Sequence, residues 1–424
     1  MSSLQPVRGT HDLLPDAMRR HRAVVDCARE IAARYGFQEM ATPIFEFTEV
    51  FKRTLGDTSD IVTKEMYTFA PGAARDQDTR AADGDSITLR PENTAGVARA
   101  FISGGLAQQV PMKAFYAGPM FRRERPQKGR QRQFHQFGVE LIGVPQPQAD
   151  IEVIACGAQI LEALGLQDAV VLELNTLGDP DSRATYREAL VSYFSDHRDS
   201  LSEDSRERLT RNPLRILDSK DEGDRRLVAD APLFERYLNP ESQDFFAAVR
   251  AGLDGLGIAY RLNPRLVRGL DYYCHTAFEF TTDRLGAQSA VMAGGRYDGL
   301  IKTMGGPQTP GVGWAAGVER LAMLTAEPAP APRPIVVVPV GEAAGATALK
   351  VTQGLRHAGF VAELGYSGNL KKRLQRADKM NARAALLLGD EELAADSATL
   401  RDLDSGEQEL VSLKTLTERL SRLA

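Results

Sequence analysis

Between Phe121 and His135 the chain places six lysines or arginines and one glutamate, in the run FRRERPQKGRQRQFH. Arginine offers a planar, permanently charged fork that matches phosphate, and an adjacent aromatic ring offers a stacking surface for a base. The run joins two segments that read as strands, Ala114–Phe121 and Gln133–Ile142, with a charged loop around Gly129 between them, an antiparallel pair. Side chains alternate faces along a strand, so Arg122 and Glu124 share one face, and Phe134, Gln136, Gly138 and Glu140 share one face of the partner. Such a face is either a solvated sheet surface or a floor built for a polar ligand, because buried polar groups are costly unless paired. The chemistry it suggests is nucleotide binding, and spacing alone leaves both readings open.

Further candidates lie elsewhere in the chain. Ser86–Leu89 reads as a strand that breaks at Pro91 and enters a helix; Thr94 either caps that helix or meets a ligand, and Glu92 is electrostatically favoured at its amino end. Arg268, Tyr272 and Tyr273 stand together in Leu266–Tyr273, as a rim of amphipathic packing or as a pocket for a small polar molecule. Ala293–Gly299 reads as a tight glycine turn carrying Arg296 and Tyr297. Neither it nor Gly311-Val312-Gly313 completes a dinucleotide fingerprint, and no P-loop is present, so a nucleotide would be bound by another fold. Gly311–Ala316 reads as a buried strand and Gly317–Leu324 as the helix after it. Arg320 in that helix's first turn opposes the macrodipole, a local violation of the kind that gathers at functional sites.

The elements that would position these residues follow from periodicity. Pro15–Tyr35 has apolar or small residues spaced for one helical face, with Pro15 suited to the first turn and Gly36 to the stop. Phe37–Ile44 is extended, with Pro43 at an edge, a bulge or an interface. Ile151–Leu164 reads as a helix, Val170–Asn175 as a strand, about 179–255 as an inserted helical module, and Ile258–Leu262 and Thr276–Phe280 as strands. Residues 326–334 form a proline–alanine linker that ends a first domain at about 325. Beyond it, 335–424 reads as a small α/β domain with strands Ile335–Val340, Val361–Leu364 and Ala384–Leu388 and helices Ala343–Ala358 and Leu370–Asn381. The second of these helices carries Lys371, Lys372, Arg373, Arg376 and Lys379, either an RNA-backbone contact or a solvated face.

Bulk properties narrow the class. The chain has 424 residues, 43% hydrophobic and 26% charged, with a net charge of -5, so no global basic field draws it to nucleic acid. Cys27, Cys156 and Cys274 are far apart and form no metal-ligand spacing, so neither a disulfide framework nor a zinc site is indicated. A signal sequence and a membrane-length apolar run are both lacking, which suits a cytoplasmic protein.

Taken together, these motifs resemble those of the class II aminoacyl-tRNA synthetases, and within them the histidyl-tRNA synthetase family, over nearly the full chain. Phe121–Gln136 looks like motif 2, Gly311–Leu321 like motif 3, Thr42-Pro43 like the weak motif 1 of the dimer interface, and Leu266–Tyr273 like a motif peculiar to histidine recognition. The family often has glycine where Asn93 stands. The resemblance implies an α+β catalytic core of antiparallel sheet flanked by helices, the helical insertion, and a carboxy-terminal α/β anticodon-binding domain. It implies a homodimer with L-histidine, ATP and tRNA(His) as substrates, and Mg²⁺ with ligands unassigned. In that picture Arg122 holds the α-phosphate and the amino-acid carboxylate, Arg268 stabilises charge at the α-phosphate, Phe134 stacks on adenine, and Glu124, Arg130 and Arg320 complete the ATP site. Glu92, Thr94 and Gln136 hold the α-amino group, Glu140 and Tyr273 bracket the imidazole nitrogens, and Tyr272 and Tyr297 complete the histidine pocket. The alternative is a synthetase-like regulatory subunit of ATP phosphoribosyltransferase, which binds histidine without charging tRNA; an RNA-binding protein without catalysis leaves the polar pocket unexplained.

Overall fold

A computed structural model describes residues 4–56, 59, 61–69, 86–127, 129–268, 272–286 and 289–423. The chain divides into two compact units, one ending at Pro328 and one beginning at Ala329. Described strands of the first unit are, in chain order, β1 (Gln38–Glu39), β2 (Phe45–Phe47), β3 (Tyr67–Phe69), β4 (Ile87–Leu89), β5 (Met112–Phe121), β6 (Gln133–Ile142), β7 (Val171–Thr176), β8 (Arg261–Leu262), β9 (Cys274–Thr281), β10 (Ala290–Arg296) and β11 (Gly311–Gly317).

Eight of them form one sheet in the order β1-β5-β6-β11-β10-β9-β7-β8. Its six inner strands are antiparallel, while β1 on β5 and β8 on β7 are parallel, so the sheet is mixed at both edges. Alternation along β6 sorts its side chains as the sequence demands. Phe137, Val139 and Leu141 enter the main core with Val24, Ala28 and Ile31 of the Pro15–Arg34 helix, Val153 and Ile154 of the Pro147–Ala163 helix, and Leu321 of the Val318–Leu324 helix. The opposite face meets the Thr94–Ser103 helix, whose Val97, Ala98 and Phe101 pack with Ala114, Tyr116 and Met120 of β5.

Three expectations change. The glycine turn at 293–299 is largely strand: Gly294 and Gly295 sit inside β10 because a Cβ on Gly294 would collide with the backbone of β11 and Trp314, and one on Gly295 with the Tyr273 ring. Arg296, fully buried, makes a salt bridge with the equally buried Asp150 and bonds Val144 O at 3.0 Å, so it serves the core. The strand expected at 258–262 shrinks to Arg261–Leu262 at the sheet edge.

The helical segment after β7 behaves as two parts. Tyr186, Leu190, Phe194, Phe234 and Leu238 build a separate apolar cluster, whereas the Pro240–Gly255 helix returns Val249 and Leu253 to the main core. In the three-stranded sheet β2-β4-β3, β4 falls within the strand expected at Ser86–Leu89, whereas the three-residue β2 and β3 were too short to be legible as pattern. It leaves Phe45 (57% exposed), Phe47 (55%) and Phe69 (50%) bare.

The second unit holds β12 (Ile335–Pro339), β13 (Ala362–Leu364), β14 (Ala384–Leu388), β15 (Ser397–Asp402) and β16 (Gln408–Ser412), ordered β13-β12-β14-β15-β16. The first three are parallel, each joined through a helix, as expected for an α/β unit; β15 and β16 add an antiparallel hairpin that the sequence reading did not extend to. No helix among the described residues is long and apolar enough to cross a membrane.

Candidate active site

The face of β6 that carries Phe134 and Gln136 floors a cavity of ≈ 450 Å³. Its walls come from the elements anticipated above: Glu92 and Thr94, Arg122 and Arg130, Arg268 with Tyr272 and Tyr273, and Arg320. An adjoining cavity of ≈ 1240 Å³ shares Arg122, Arg130 and Arg268 and opens toward the helical segment.

One end is built around anions. Arg122 is fixed by its Nε–H donating to Pro91 O at 2.9 Å and lies over the Phe134 ring, 5.3 Å from its centroid. Arg130 meets Glu124 at 3.0 Å, and Arg320 donates to Gly129 O at 3.1 Å and Ala290 O at 2.6 Å. Burial, followed by the charges of Arg130 and Arg122, pulls the Arg320 pKa below its ordinary value. Three guanidinium groups that repel one another across a cleft form a place where a polyanion is stabilised. This accounts for the arginine in a helix's first turn.

The other end is built around hydrogen bonds. Thr94 does not cap its helix; Glu92 does so, its carboxylate accepting from Thr94 N at 2.7 Å and Ala95 N at 3.0 Å. The Thr94 hydroxyl instead donates to Glu140 Oε1 at 2.7 Å, while the Tyr297 hydroxyl donates to Oε2 and the Tyr116 hydroxyl stands 3.4 Å from Oε1. Glu140 and Tyr297 lie just beneath the cavity wall, their polar atoms in contact with each other. Above them, Gln136 Oε1 is buried and has no hydrogen-bond partner among the described residues, an acceptor waiting for a donor.

Arg268 pairs with Glu279 and lies 5.4 Å from the Tyr273 ring centroid, and its Nε is buried with no hydrogen-bond partner among the described residues. The Tyr272 hydroxyl donates toward that of Tyr273 at 3.4 Å. Gly269, Leu270 and Asp271 of the same motif, and Lys128 of the basic run, lie outside the described residues. Sequence reasoning passed over Glu279, Asp218 and Lys220, which all line the cavity. Glu279 was detectable as the lone acid between Phe278 and Phe280 on a strand; Asp218 and Lys220 reach the site by tertiary packing, which leaves no local signal.

In the second unit, Asn369 caps the Leu370–Lys379 helix by accepting from Lys372 N at 3.0 Å. Lys371, Lys372, Arg376 and Lys379 are exposed. Arg373 differs from that expectation, because its guanidinium turns inward to Pro339 O and supports the sheet.

A mixed sheet flanked by helices, floored with motif 2 and closed by motif 3, defines a class II aminoacyl-tRNA synthetase. The family model for histidyl-tRNA synthetase matches residues 9–321, and that for an anticodon-binding domain matches 334–423. A protein from Rhodospirillum rubrum named histidine–tRNA ligase is 64% identical over 423 residues, covering 100% of each chain, and one of the same name from Gluconacetobacter diazotrophicus is 57% identical over 424 residues, again covering 100% of each. The crystal structure of apo S. aureus histidyl-tRNA synthetase superposes with a TM-score of 0.80 at 34% identity, over 98% of this chain and 99% of that one. The chain belongs to the histidyl-tRNA synthetase family.

The Glu140 carboxyl yields a prediction. Burial pushes its pKa up to about 8, the hydroxyls of Tyr297 and Thr94 opposing and the charge of Glu92 adding to the rise. An acid whose folded pKa stands above its unfolded value stabilises the fold fully below the unfolded value and loses that contribution as pH rises through the folded one. From about pH 5 to about pH 9 the apparent melting temperature of the wild type should fall more steeply than that of Glu140→Gln, which stays neutral throughout. Parallel slopes in thermal denaturation would remove this role.

Proposed function

We propose that the chain activates L-histidine with ATP, giving histidyl-adenylate and pyrophosphate, and then passes the histidyl group to the 3' end of tRNA(His). The observation that carries this is the convergence of Arg122, Arg130 and Arg320 around Phe134, beside the unpaired Gln136 oxygen. The three cations suit a triphosphate, and Phe134 offers a ring for adenine, with Glu124 held by Arg130 at the same end. Gln136 Oε1 is the open acceptor for the α-ammonium group, with Glu92 next to it, and Arg122 reaches the carboxylate and the α-phosphate. Tyr273 and the Thr94 hydroxyl then face the imidazole, with Glu140 and Tyr297 setting the orientation of Thr94 from below, and Tyr272 packed against Tyr273. Because the site hydrogen-bonds the side chain, amino acids without ring nitrogens leave its polar groups unpaired.

Adenylation needs no covalent enzyme intermediate. Attack of the histidine carboxylate on the α-phosphorus releases pyrophosphate, and the chain's part is alignment plus stabilisation of the charge that develops on the phosphate oxygens. Arg268 is assigned that stabilising role, its guanidinium lying on the cavity wall beside Tyr273 and Glu279. Class II chemistry uses ATP with Mg²⁺. The cavity's carboxylates are already engaged, Glu92 by backbone, Glu124 and Glu279 by arginines, Asp218 by Arg215 at 3.9 Å and Glu319 by His135 at 2.9 Å, so they do not form an all-protein cage, and an ion here would be held chiefly by phosphate oxygens.

The regulatory reading is not favoured, since relatives named histidine–tRNA ligase match from end to end and the anticodon-binding match covers the second unit. That unit is assigned to tRNA, with Lys371, Lys372, Arg376 and Lys379 as backbone contacts and Arg373 withdrawn from that set. The bare phenylalanines of β2 and β3, next to Thr42-Pro43, suit burial against a second copy. A cytoplasmic location suits three unpaired cysteines.

Histidine-dependent exchange of pyrophosphate into ATP is the deciding assay; its absence in folded protein overturns the catalytic reading. Arg268→Ala should slow that exchange roughly 100- to 1,000-fold while changing histidine binding much less, and equal losses would refute its place on the phosphate. A chain ending at Pro334 should keep the exchange but charge tRNA at least about tenfold more slowly, and unchanged charging would remove the anticodon assignment. For the dimer, Phe47→Asp should shift the mass measured by light scattering toward the monomer, and an unchanged mass would clear this surface of the role.

A further inference from the structure

Beside the cavity, three metal-ligating side chains meet from three different elements, Glu319 among them also lining the cavity. His21 comes from the Pro15–Arg34 helix, His135 from β6 and Glu319 from the Val318–Leu324 helix. One ring nitrogen of each imidazole and one oxygen of the carboxylate all lie within 4.8 Å of one another. The two rings stand edge to face with centroids 5.4 Å apart.

The cluster is held in place by its surroundings. Glu319 accepts from the His135 backbone N–H at 2.9 and 3.0 Å and stands 2.9 Å from His135 Nδ1. An ion shared by His135 and Glu319 takes the Nδ1 lone pair, with the ring proton on Nε2. His21 is buried, and its ring makes no hydrogen bond among the described residues.

We propose that His21, His135 and Glu319 form a binding site for one divalent transition-metal ion of the zinc type. Two imidazoles and a carboxylate form a borderline donor set that favours such an ion over the oxygen-seeking Mg²⁺. Bonds of about 2.0–2.1 Å put ligand atoms about 3.4 Å apart, so closure needs rotamer shifts of roughly 1 Å, with water completing the shell. The three residues are far apart in sequence, which is why ligand spacing gave no sign of them. An ion there joins the first long helix to the strand bearing Phe134 and to the helix bearing Arg320, with Glu319 itself on the lining of the substrate cavity.

The test uses the full-length protein stripped with a chelator and titrated with Zn²⁺ alone by calorimetry and with Co²⁺ alone by visible absorption. Expected are one ion per chain, Co²⁺ d–d bands without a thiolate charge-transfer band, and a Zn²⁺-induced rise in melting temperature. His21→Asn and, independently, Glu319→Gln should each weaken Zn²⁺ binding roughly 10- to 100-fold, while His357→Asn, at an exposed histidine of the second unit, leaves it unchanged. Absence of stoichiometric binding to the wild type, a thiolate band, or wild-type affinity in the His21 and Glu319 variants would each overturn the proposal.

Discussion

The Glu140 carboxyl has no exposure to water, and much of the catalytic unit is arranged so that it can exist there. Thr94 brings the amino end of a helix to it, Tyr116 brings β5, and Tyr297 brings the end of β10. An ionisable group in such surroundings is tolerated only when its lone pairs are satisfied, so three separate elements are held to one geometry. The glycines around it follow from the same constraint. Gly313 lies opposite Glu140 in the β6–β11 register, and any side chain there would occupy the carboxylate's own space. Gly138 admits the Tyr116 ring in the same way.

The two ends of the cavity thus divide their physics. The hydrogen-bonding end is rigid and neutral, with hydroxyls satisfied by a buried acid. The arginine end is electrostatically unfavourable to itself, with guanidiniums anchored to backbone carbonyls, and it is relieved by a polyanion. Binding in the second region gains charge compensation; binding in the first gains discrimination by leaving a mismatched ligand's partners unpaired.

Legibility in the sequence followed periodicity and charge. The β5–β6 pair was readable because both strands are ten residues long with clear alternation, and its register placed Phe134, Gln136 and Glu140 correctly on one face. Arg320 was readable as a violation of helix electrostatics. What alternation cannot show is depth: Glu140 and Gln136 share a face, yet one lies under the wall and the other in it. Gly294 and Gly295 read as a turn because glycine signals both tight turns and close strand approach, and only the neighbouring Trp314 and Tyr273 distinguish them. Asp218 and Lys220 arrive from a segment whose own cluster gives no hint of the site, and β1 and β8 are each two residues long, shorter than the extended segments read around them.

Asn93, fully buried at the start of the Thr94–Ser103 helix, has a consequence of its own. Its Oδ1 accepts from the Thr42 hydroxyl at 2.6 Å and stands 3.3 Å from Arg90 Nη1, and Arg90 in turn reaches Thr42 O at 3.1 Å. Thr42 precedes the bare phenylalanine surface, and Asn93 precedes Thr94 on the cavity wall. The amide therefore ties the segment that leads into the outer sheet to the start of the helix that carries Thr94.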